Sequence, residues 1–332
     1  MIQTPTQSKE LSSIQLSEIL SSFSLEFDSI CTNHTISGSP ERVLSRLVIK
    51  DTNSQLFLLE EIHPNQLRKK QNIAEILTIL KESQLPYLNP YILSIQHTYQ
   101  LPYNNSYYQL SRYLDGTPLS RTNYLHDSWR GEKISAFLIS LKKTTEKLSH
   151  LLPTNQFKFS SYLQTTISQM NHHHPHIASQ IQPITTHLKT TTLPMLETLP
   201  ITFSHGDIHP LNIIWEKDDI KAIIDWEFCS YKTELYDAAN LLGCLGVEHP
   251  SGLLDNFSSK FLENIHESEI YTEKSYNTLV DLIILLRIAW LTEWLKKHDE
   301  DMISLELDYI KLLFGNKDYL NEELEKKRKN IL

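Results

Sequence analysis

Cysteine is scarce in this sequence, since the chain of 332 residues contains three. Cys31, Cys229 and Cys244 lie far apart and form no CxxC pair. Three scattered thiols cannot build a disulfide framework, so the cysteine content favours a protein of a reducing compartment. We therefore expect a cytoplasmic protein.

Long apolar runs are also missing. The longest, residues 279–291, is interrupted by Asp281 and Arg287 and is too short to span a bilayer. The amino-terminal segment MIQTPTQSKELSS has no basic start followed by an apolar core, which is the pattern of a secretory signal. We expect neither secretion nor a membrane partner.

Positive charge is in deficit, with 31 Lys and Arg residues against 40 Asp and Glu residues and a formal net charge of −9. Nucleic acids and anionic membranes attract clustered basic residues, so both are disfavoured as partners. A neutral or cationic small molecule fits this charge better. The remaining composition, 40% hydrophobic and 21% charged, is that of an ordinary globular protein long enough for two lobes.

A nucleophile motif such as GxSxG is absent as well, which removes the main support for a hydrolase. The sequence does contain a polar stretch, residues 201–228, that lies between apolar runs. It includes His205-Gly206-Asp207, then Asn212, and then two short strands separated by a polar turn, the second of which ends on Asp225. The pattern predicts a catalytic loop followed by a β-hairpin.

Three of these side chains match the needs of phosphoryl transfer. Such a reaction requires a carboxylate that orients and deprotonates the attacking hydroxyl, and oxygen ligands for the magnesium ions on the nucleotide. Asp207 can supply the first, and Asn212 and Asp225 can supply the second. A simpler interpretation is that His205 and Asp207 only tie down a loop and that Asp225 caps the next segment.

The two segments HGDIHPLN and IDWE resemble the aminoglycoside phosphotransferase and choline kinase-like family. The resemblance implies an α+β, protein-kinase-like fold with a small antiparallel-sheet N-lobe and a larger, mainly helical C-lobe. We expect an amino-terminal segment at residues 1–24, the N-lobe at 25–114 and the C-lobe at 115–332. The resemblance also implies ATP or another nucleoside triphosphate and Mg²⁺ as cofactors, and a small molecule with a hydroxyl group as acceptor.

The resemblance assigns roles to individual residues. Asp207 is expected to be the catalytic base, with His205 supporting the loop through a backbone hydrogen bond. Asn212 and Asp225 are expected to hold Mg²⁺. Asp237 resembles the structural Asp that this family carries on the helix behind the active site.

The acceptor is less well defined by the sequence. Glu227, Glu234 and Glu248 are acidic residues expected near the substrate, where they could receive an amine, and Glu227 is assigned to the substrate site. The alternative is that they are surface acids of an acidic protein. Aminoglycosides, choline-like amino alcohols, sugars and homoserine are all compatible with the resemblance.

In the N-lobe, strands are predicted at residues 36–47, 55–62, 92–99 and 106–113, and a helix at 65–83. Gly38 and Ser39 lie where the kinase-like fold covers the nucleotide phosphates, although an ordinary turn is the alternative. The strand YYQLSRYL is interpreted as the hinge between the lobes, with an ordinary edge strand as the alternative. Four of its residues are expected to bind adenine through their backbone: Gln109, Leu110, Ser111 and Arg112.

One position departs from the family pattern. The strand FLLEEI should carry the Lys that holds the nucleotide phosphates, yet Glu60 stands there, and a carboxylate repels phosphate. Three explanations compete: a basic residue reaches in from elsewhere, Glu60 contacts phosphate through a metal, or the chain binds nucleotide poorly and has lost catalysis. The candidate basic residues are Lys50, Arg68, Lys69 and Lys70. Without the strand Lys, Glu75 on the next helix has no evident partner.

Two functions follow from these observations. The first is an ATP- and magnesium-dependent kinase of small molecules, and the second is a catalytically weak or inactive kinase-fold protein that serves as a nucleotide-binding or scaffold module. Glu60 favours the second. The set of Asp207, Asn212 and Asp225 favours the first, because a binding module has no need of a base and metal ligands together.

A histidine tract, His172-His173-His174-Pro175-His176, lies among the helices expected in the C-lobe. Such tracts can bind transition metals, but this one contains Pro and has no Cys or acid at ligand spacing. We predict a solvated loop.

Overall fold

The computed structural model describes residues 11–34, 36, 43–153 and 155–331. The α+β class predicted from the sequence is confirmed. The strands are β1 (Phe27–Ile30), β2 (Val43–Asp51), β3 (Leu56–Ile62), β4 (Leu101–Tyr103), β5 (Ser106–Arg112), β6 (Ile201–Ser204), β7 (Ile213–Glu216), β8 (Asp219–Ile223) and β9 (Ser230–Thr233). The helices are α1 (Ser13–Ser21), α2 (Leu67–Glu82), α3 (Ser128–Lys147), α4 (Phe159–His173), α5 (Pro175–Gln180), α6 (Gln182–His187), α7 (Leu193–Leu196), α8 (Tyr236–Glu248), α9 (Asn256–Glu267), α10 (Glu273–Tyr276), α11 (Leu279–Lys297), α12 (Glu300–Gly315) and α13 (Lys317–Arg328).

The chain divides into two compact units. The first comprises Met1–Pro118 and Leu211–Glu227, and the second comprises Leu119–Pro210 and Phe228–Leu332. The hairpin formed by β7 and β8 therefore belongs to the first unit, whereas the HGD segment belongs to the second.

The first unit is built on an antiparallel sheet with the strand order β1-β2-β3-β5-β4. Successive side chains of a strand point to opposite faces. On one face, Ile49, Leu59 and Leu110 form a core with the buried residues of α1. Glu60 follows Leu59 and therefore points to the other face, where Arg46 is its cross-strand neighbour. This alternation decides which side chains of the sheet reach the pocket described below.

Helix α2 is amphipathic, as predicted. Its buried residues include Ile73, Ile76, Leu77 and Leu80, at the spacing of one helical face. Lys70 is 3% exposed and lies one turn before Ile73 on that face. The helix thus carries an ammonium group in a row of buried apolar residues.

The strand predicted at residues 92–99 is wrong. This segment forms a tight turn, in which the Ser94 amide donates to the Thr98 carbonyl at 2.9 Å and His97 has a φ of 59°. An isolated bridge joins Tyr91 to Ser111 just before the turn. A reversal this tight leaves no length for an extended strand, so β5 pairs with β4 instead.

The second unit is mainly helical, and the strands β6 and β9 pair antiparallel within it. The histidine tract does not form the loop that we predicted. His173 ends α4 and Pro175 opens α5, where its missing N–H interrupts no hydrogen bond of the helix. In the described part of the chain, no three His, Cys, Asp or Glu side chains are grouped as metal ligands.

None of the helices among the described residues has the length and apolar character needed to cross a membrane.

Candidate functional site

The HGD segment follows β6 in the second unit and is held by a carboxylate beneath it. Asp237, in the first turn of α8, accepts the His205 amide through Oδ2 and the Gly206 amide through Oδ1, both at 2.8 Å. Burial outweighs these two donors and the charge of Lys232, and it raises the pKa of Asp237 above its ordinary value. One buried side chain therefore satisfies two consecutive backbone N–H groups of the loop.

Gly206 has a backbone conformation that few other residues tolerate. Its φ is 87°, and a Cβ atom added to it would lie 2.2 Å from the carbonyl oxygen of Phe228. Both the positive φ and the close approach of another backbone require glycine. The residue before Asp207 is therefore fixed by the geometry of the loop.

Asp207 follows in a largely enclosed position. Its amide donates to Nδ1 of the fully buried His205 at 3.2 Å. Nε2 of His209 lies 3.9 Å from the Asp207 carboxylate. Burial and the charge of Arg287 lower the pKa of His209 to about 4, so this imidazole is neutral at pH 7. His209 therefore brings no positive charge to the Asp207 carboxylate.

Lys232 is a further buried group beside this loop, and it was not predicted from the sequence. Its Nζ donates to the Phe228 carbonyl at 2.5 Å and to Ser230 Oγ. Burial lowers the pKa of Lys232 to about 8, although Asp237, Cys229 and Asp207 oppose the shift. The strand β9 has four residues, which is too few for alternation in the sequence to reveal an inward-facing Lys.

Two of the acids proposed for the acceptor lie in the second unit. Glu234 is buried and accepts from Lys142 Nζ at 3.1 Å and from Ser275 Oγ at 2.7 Å. Glu248 lies 3.8 Å from Nη2 of Arg121. Glu234 is therefore not a surface acid. Its buried carboxylate links the segment after β9 to Lys142 of α3 and to Ser275 of α10.

The first unit contains a pocket on the sheet face that carries Glu60. Its polar lining comes from Arg46, Glu60, Lys70, Asn89, Tyr91, Ser111, Arg112, Asp225 and Glu227. Its apolar lining comes from residues that include Leu58, Ile73, Leu77, Ile214, Ile223 and Ile224. Both kinds of surface are typical of sites for small ligands.

Side-chain ion pairs organise this pocket. Arg46 Nε donates to Glu60 Oε1 at 2.9 Å. Lys70 Nζ lies 2.5 Å from Glu227 Oε1, and Lys69 Nζ lies 3.1 Å from Glu227 Oε2. Burial opposes the charge of Lys70, but Tyr91, Glu60 and Glu227 outweigh it and raise the pKa of the ammonium. Burial likewise opposes ionisation of Glu227, yet Lys70 and Lys69 lower its pKa.

The predicted metal ligands lie in the first unit, on either side of the hairpin: Asn212 directly precedes β7 and Asp225 follows β8. The Asn212 carbonyl accepts the Ile224 amide at 2.9 Å, which ties the backbone of Asn212 to the residue before Asp225. Asp225 has a φ of 61°, in the left-handed region that Asp enters more readily than most residues. An amide oxygen and a carboxylate suit Mg²⁺, which takes few protein ligands and completes its shell with phosphate oxygens and water.

The structure separates the residues predicted for the hinge. Ser111 and Arg112 line the pocket, whereas Leu110 lies in the core with α1. Gln109 is fully buried opposite Glu60, and its side-chain amide has no hydrogen-bond partner within the described residues. Tyr113 also lines the pocket, directly after the end of β5.

The backbone of β5 is largely occupied, because the strand pairs with β3 and β4 and also accepts from the segment that precedes β4. The Leu110 carbonyl accepts from the Ile92 amide at 2.8 Å, and the Arg112 carbonyl accepts from Asn89 Nδ2 at 2.9 Å. Gly38 and Ser39, which were predicted to cover the phosphates, lie outside the described residues.

Among the four basic residues considered as substitutes for the strand Lys, Lys70 lines the pocket. Lys69 reaches Glu227 from the same turn of α2. Lys50 pairs with Asp28 at 2.9 Å, and Arg68 is exposed. The sequence held a signal for this choice, because Lys70 lies three and seven residues before the apolar positions Ile73 and Leu77 of the helix.

Comparison with known proteins adds three findings. The family model described as "Phosphotransferase enzyme family" matches residues 42–269. No curated protein sequence matches the chain. Solved structures do match it over most of its length.

Amicoumacin kinase hAmiN, solved with AMP-PNP, Ca²⁺ and Ami, is 13% identical with a TM-score of 0.65, and the match covers 89% of this chain and 92% of that one. APH(2")-IIia, solved with GDP and kanamycin, is 14% identical with a TM-score of 0.64, covering 90% and 97%. Choline kinase LicA from Streptococcus pneumoniae is 16% identical with a TM-score of 0.58, covering 90% and 98%. Identities at this level show the fold, and the predicted protein-kinase-like fold is confirmed.

Proposed function

Because the chain belongs to the phosphotransferase enzyme family, we propose that it is a small-molecule kinase that uses ATP, or another nucleoside triphosphate, and Mg²⁺. The acceptor is a hydroxyl group. In the reaction, the hydroxyl oxygen attacks the γ-phosphorus and forms a new O–P bond. The bond between the γ-phosphorus and the bridging oxygen breaks, and its electron pair leaves on the nucleoside diphosphate.

Asp207 is the residue that receives the hydroxyl proton. A base of this kind must be held in one orientation, since proton transfer depends on its distance and angle to the hydroxyl. The observation that carries the proposal is the fixation of the loop by Asp237, which accepts the amides of both residues that precede Asp207. His209, beside the carboxylate, is neutral at pH 7 and adds no positive charge there.

The pocket of the first unit is the proposed nucleotide site. It joins apolar side chains, suited to a base, with charged groups suited to phosphates. Asn212 and Asp225 are the proposed Mg²⁺ ligands, and the metal when bound neutralises charge on the phosphates. Ser111, Arg112 and Tyr113 are the proposed contacts for the base and ribose, because they line this pocket at the end of β5.

The acceptor belongs to the small hydroxyl compounds that carry amines or further hydroxyls. The similar proteins include an amicoumacin kinase, a phosphotransferase solved with kanamycin and a choline kinase. The acids first considered for recognition of an amine do not single out one of these classes, since Glu227 is paired with lysines and Glu234 is buried in contacts within its own unit. A panel of acceptors is therefore part of the test.

The test is the release of nucleoside diphosphate by the full chain with Mg²⁺ and a panel of aminoglycosides, amino alcohols, sugars and homoserine. On the acceptor that gives turnover, Asp207→Asn should lower kcat by roughly 10²- to 10⁴-fold. Its thermal stabilisation by Mg²⁺ and ATP should remain. The matched control is Asp308→Asn, an exposed position on α12, which should behave as the wild type.

Retained turnover in Asp207→Asn would overturn the assignment of the base. A wild-type chain that shows no turnover with any acceptor, and no magnesium-dependent thermal shift with ATP or GTP, would instead support the non-catalytic scaffold.

A further inference from the structure

The strand position at which a phosphate-binding Lys is expected carries Glu60, yet the pocket beside it contains a buried ammonium group from another element. We propose that Lys70, supplied by α2 and held by Glu227, is the residue that binds the nucleotide phosphates in this chain. The cation that binds the phosphates thereby comes from the helix instead of the strand, and the acid that holds it, Glu227, comes from the turn that follows β8. This inference rests on the proposed function.

The placement of Lys70 is the first argument. It shares one face of α2 with Ile73 and Leu77, and all three side chains line the pocket. Glu60 lines the same pocket from β3. A cation on the helix thus reaches the space into which a strand Lys would project.

The partners of the two groups are the second argument. Glu60 is engaged by Arg46 on the neighbouring strand at 2.9 Å, so its charge is neutralised within the sheet. Lys70 has its own carboxylate, Glu227, at 2.5 Å. An ammonium oriented by a carboxylate is the arrangement that holds a phosphate-binding Lys in kinases, although there the acid is supplied by the helix.

The cost of burying the pair is the third argument. Lys70 is 3% exposed, and buried ion pairs are often no more stabilising than apolar residues of similar size. A buried pair of charges inside a ligand pocket therefore suggests function. Lys69 is less suited to the role, since its side chain is 42% exposed and reaches the same carboxylate from outside.

The experiment measures nucleotide affinity by calorimetry, which does not depend on turnover. Lys70→Met removes the ammonium and keeps the length of the side chain. We expect the affinity for ATP or GTP, whichever the wild type binds, to fall by roughly 10- to 100-fold, the range for loss of a charge-assisted hydrogen bond. Binding of the corresponding nucleoside, which has no phosphate, should change less than about twofold.

Two further variants complete the design. Lys81→Met, at an exposed position near the end of the same helix, is the matched control and should bind as the wild type. Lys70→Met/Glu227→Gln also removes the buried carboxylate, which the single variant leaves paired with Lys69 alone, and it replaces the single variant if that one fails to fold. The double variant should keep nucleoside binding and show the same loss of triphosphate affinity.

The outcomes separate the inference from the function on which it rests. A wild-type chain that binds no triphosphate overturns both. If the wild type binds triphosphate and the Lys70 variants bind it equally well, the inference alone is overturned. An equal loss of nucleoside and triphosphate binding also overturns it, since that result assigns Lys70 a purely structural role. A selective loss of the triphosphate supports it.

Discussion

The loop that carries Asp207 and the pocket that contains Lys70 are held by different kinds of interaction. In the loop, Asp237 binds backbone amides, and Gly206 is confined by a carbonyl oxygen. In the pocket, side chains bind side chains, as Arg46 binds Glu60. The first kind of interaction fixes which residue stands at each position, whereas the second can be provided from another position of the chain.

This difference explains why the two regions keep the family pattern to different degrees. The position of a backbone amide is set by the course of the chain. The residue that accepts from it and the glycine that permits the loop conformation must therefore occupy particular sequence positions. An ammonium group on a flexible stem can enter one pocket from a strand or from a helix. The loop accordingly reads HGD, while the cation of the pocket has moved to α2.

The largest expected effect comes from Asp237→Ala, which leaves two buried amides without their acceptor. Each unsatisfied buried group costs about 1–3 kcal/mol, so the loss of both should lower the free energy of unfolding by roughly 2–6 kcal/mol. Urea denaturation measures this change, with Asp308→Ala on the surface of α12 as the control. A loss below about 1 kcal/mol would mean that the loop is not held as described.

Gly206→Ala should be nearly as damaging. The new Cβ would lie 2.2 Å from the Phe228 carbonyl at a φ of 87°, so either the loop or its neighbour must move. We expect a loss of about 2–4 kcal/mol, together with lower kcat. Gly315→Ala is the matched control, because a Cβ there meets no atom within 4 Å, and it should leave stability unchanged or slightly raised. Equal behaviour of the two variants would contradict the strain assigned to Gly206.

Arg46 and Glu60 allow a test of whether the charged side chains of the pocket can be replaced by apolar ones. Arg46→Met leaves the carboxylate of Glu60 without its hydrogen-bond donor, and the free energy of unfolding should fall by about 2–3 kcal/mol. Adding Glu60→Leu removes the unpaired charge and should recover most of that loss, because apolar residues of similar size often replace a buried ion pair without cost. A double-mutant cycle in urea measures the recovery. No recovery would show that the sheet requires these charges in place.

The same difference between the loop and the pocket determines how much of each could be predicted from the sequence. The segments HGD and IDWE were enough to predict the fold and the loop that carries Asp207. Residues that backbone geometry requires at fixed positions form a short motif that can be recognised in the sequence. Lys70 was one of four basic candidates. Its spacing to Ile73 and Leu77 places it on the apolar face of α2, and the packing of that face on the pocket distinguishes it from Arg68 and Lys69. The turn at Ser94 was predicted as a strand, because its apolar residues suggested pairing while the Ser94 to Thr98 hydrogen bond had no sequence signal. Lys232 was recognised as a group of the site only from its burial in the structure.

Lys232 provides a test by pH. Its pKa is about 8 in the folded chain, against 10.5 for an ordinary Lys, so the unfolded chain binds more protons between these values. The free energy of unfolding therefore rises with pH over this range, by an amount on the order of 1 kcal/mol. Lys232→Met should lose this dependence, and Lys143→Met, at an exposed position of α3, should retain it. Urea denaturation at about pH 8 and at about pH 10, near the two ends of this range, compares the three proteins. Parallel pH profiles in all three would contradict the perturbed Lys232.

The smallest expected effect is that of Glu75→Ala, and it bears most directly on which acid holds the phosphate-binding Lys. In the kinase arrangement, a helix Glu holds the strand Lys, and its loss disturbs the phosphate grip. Here Glu75 is exposed and accepts from Gln71 Nε2 at 2.7 Å, a contact within α2 that is worth about 0.2–0.5 kcal/mol. Stability should therefore change by less than about 0.5 kcal/mol and triphosphate affinity by less than about twofold, measured by urea denaturation and calorimetry. Glu227→Gln, which removes the charge beside Lys70, should weaken triphosphate binding several-fold more, because Glu227 is the acid that orients the cation. If Glu75→Ala weakened triphosphate binding more than Glu227→Gln did, Glu75 would be the acid that orients the phosphate-binding cation. That cation would then have to come from a position other than Lys70.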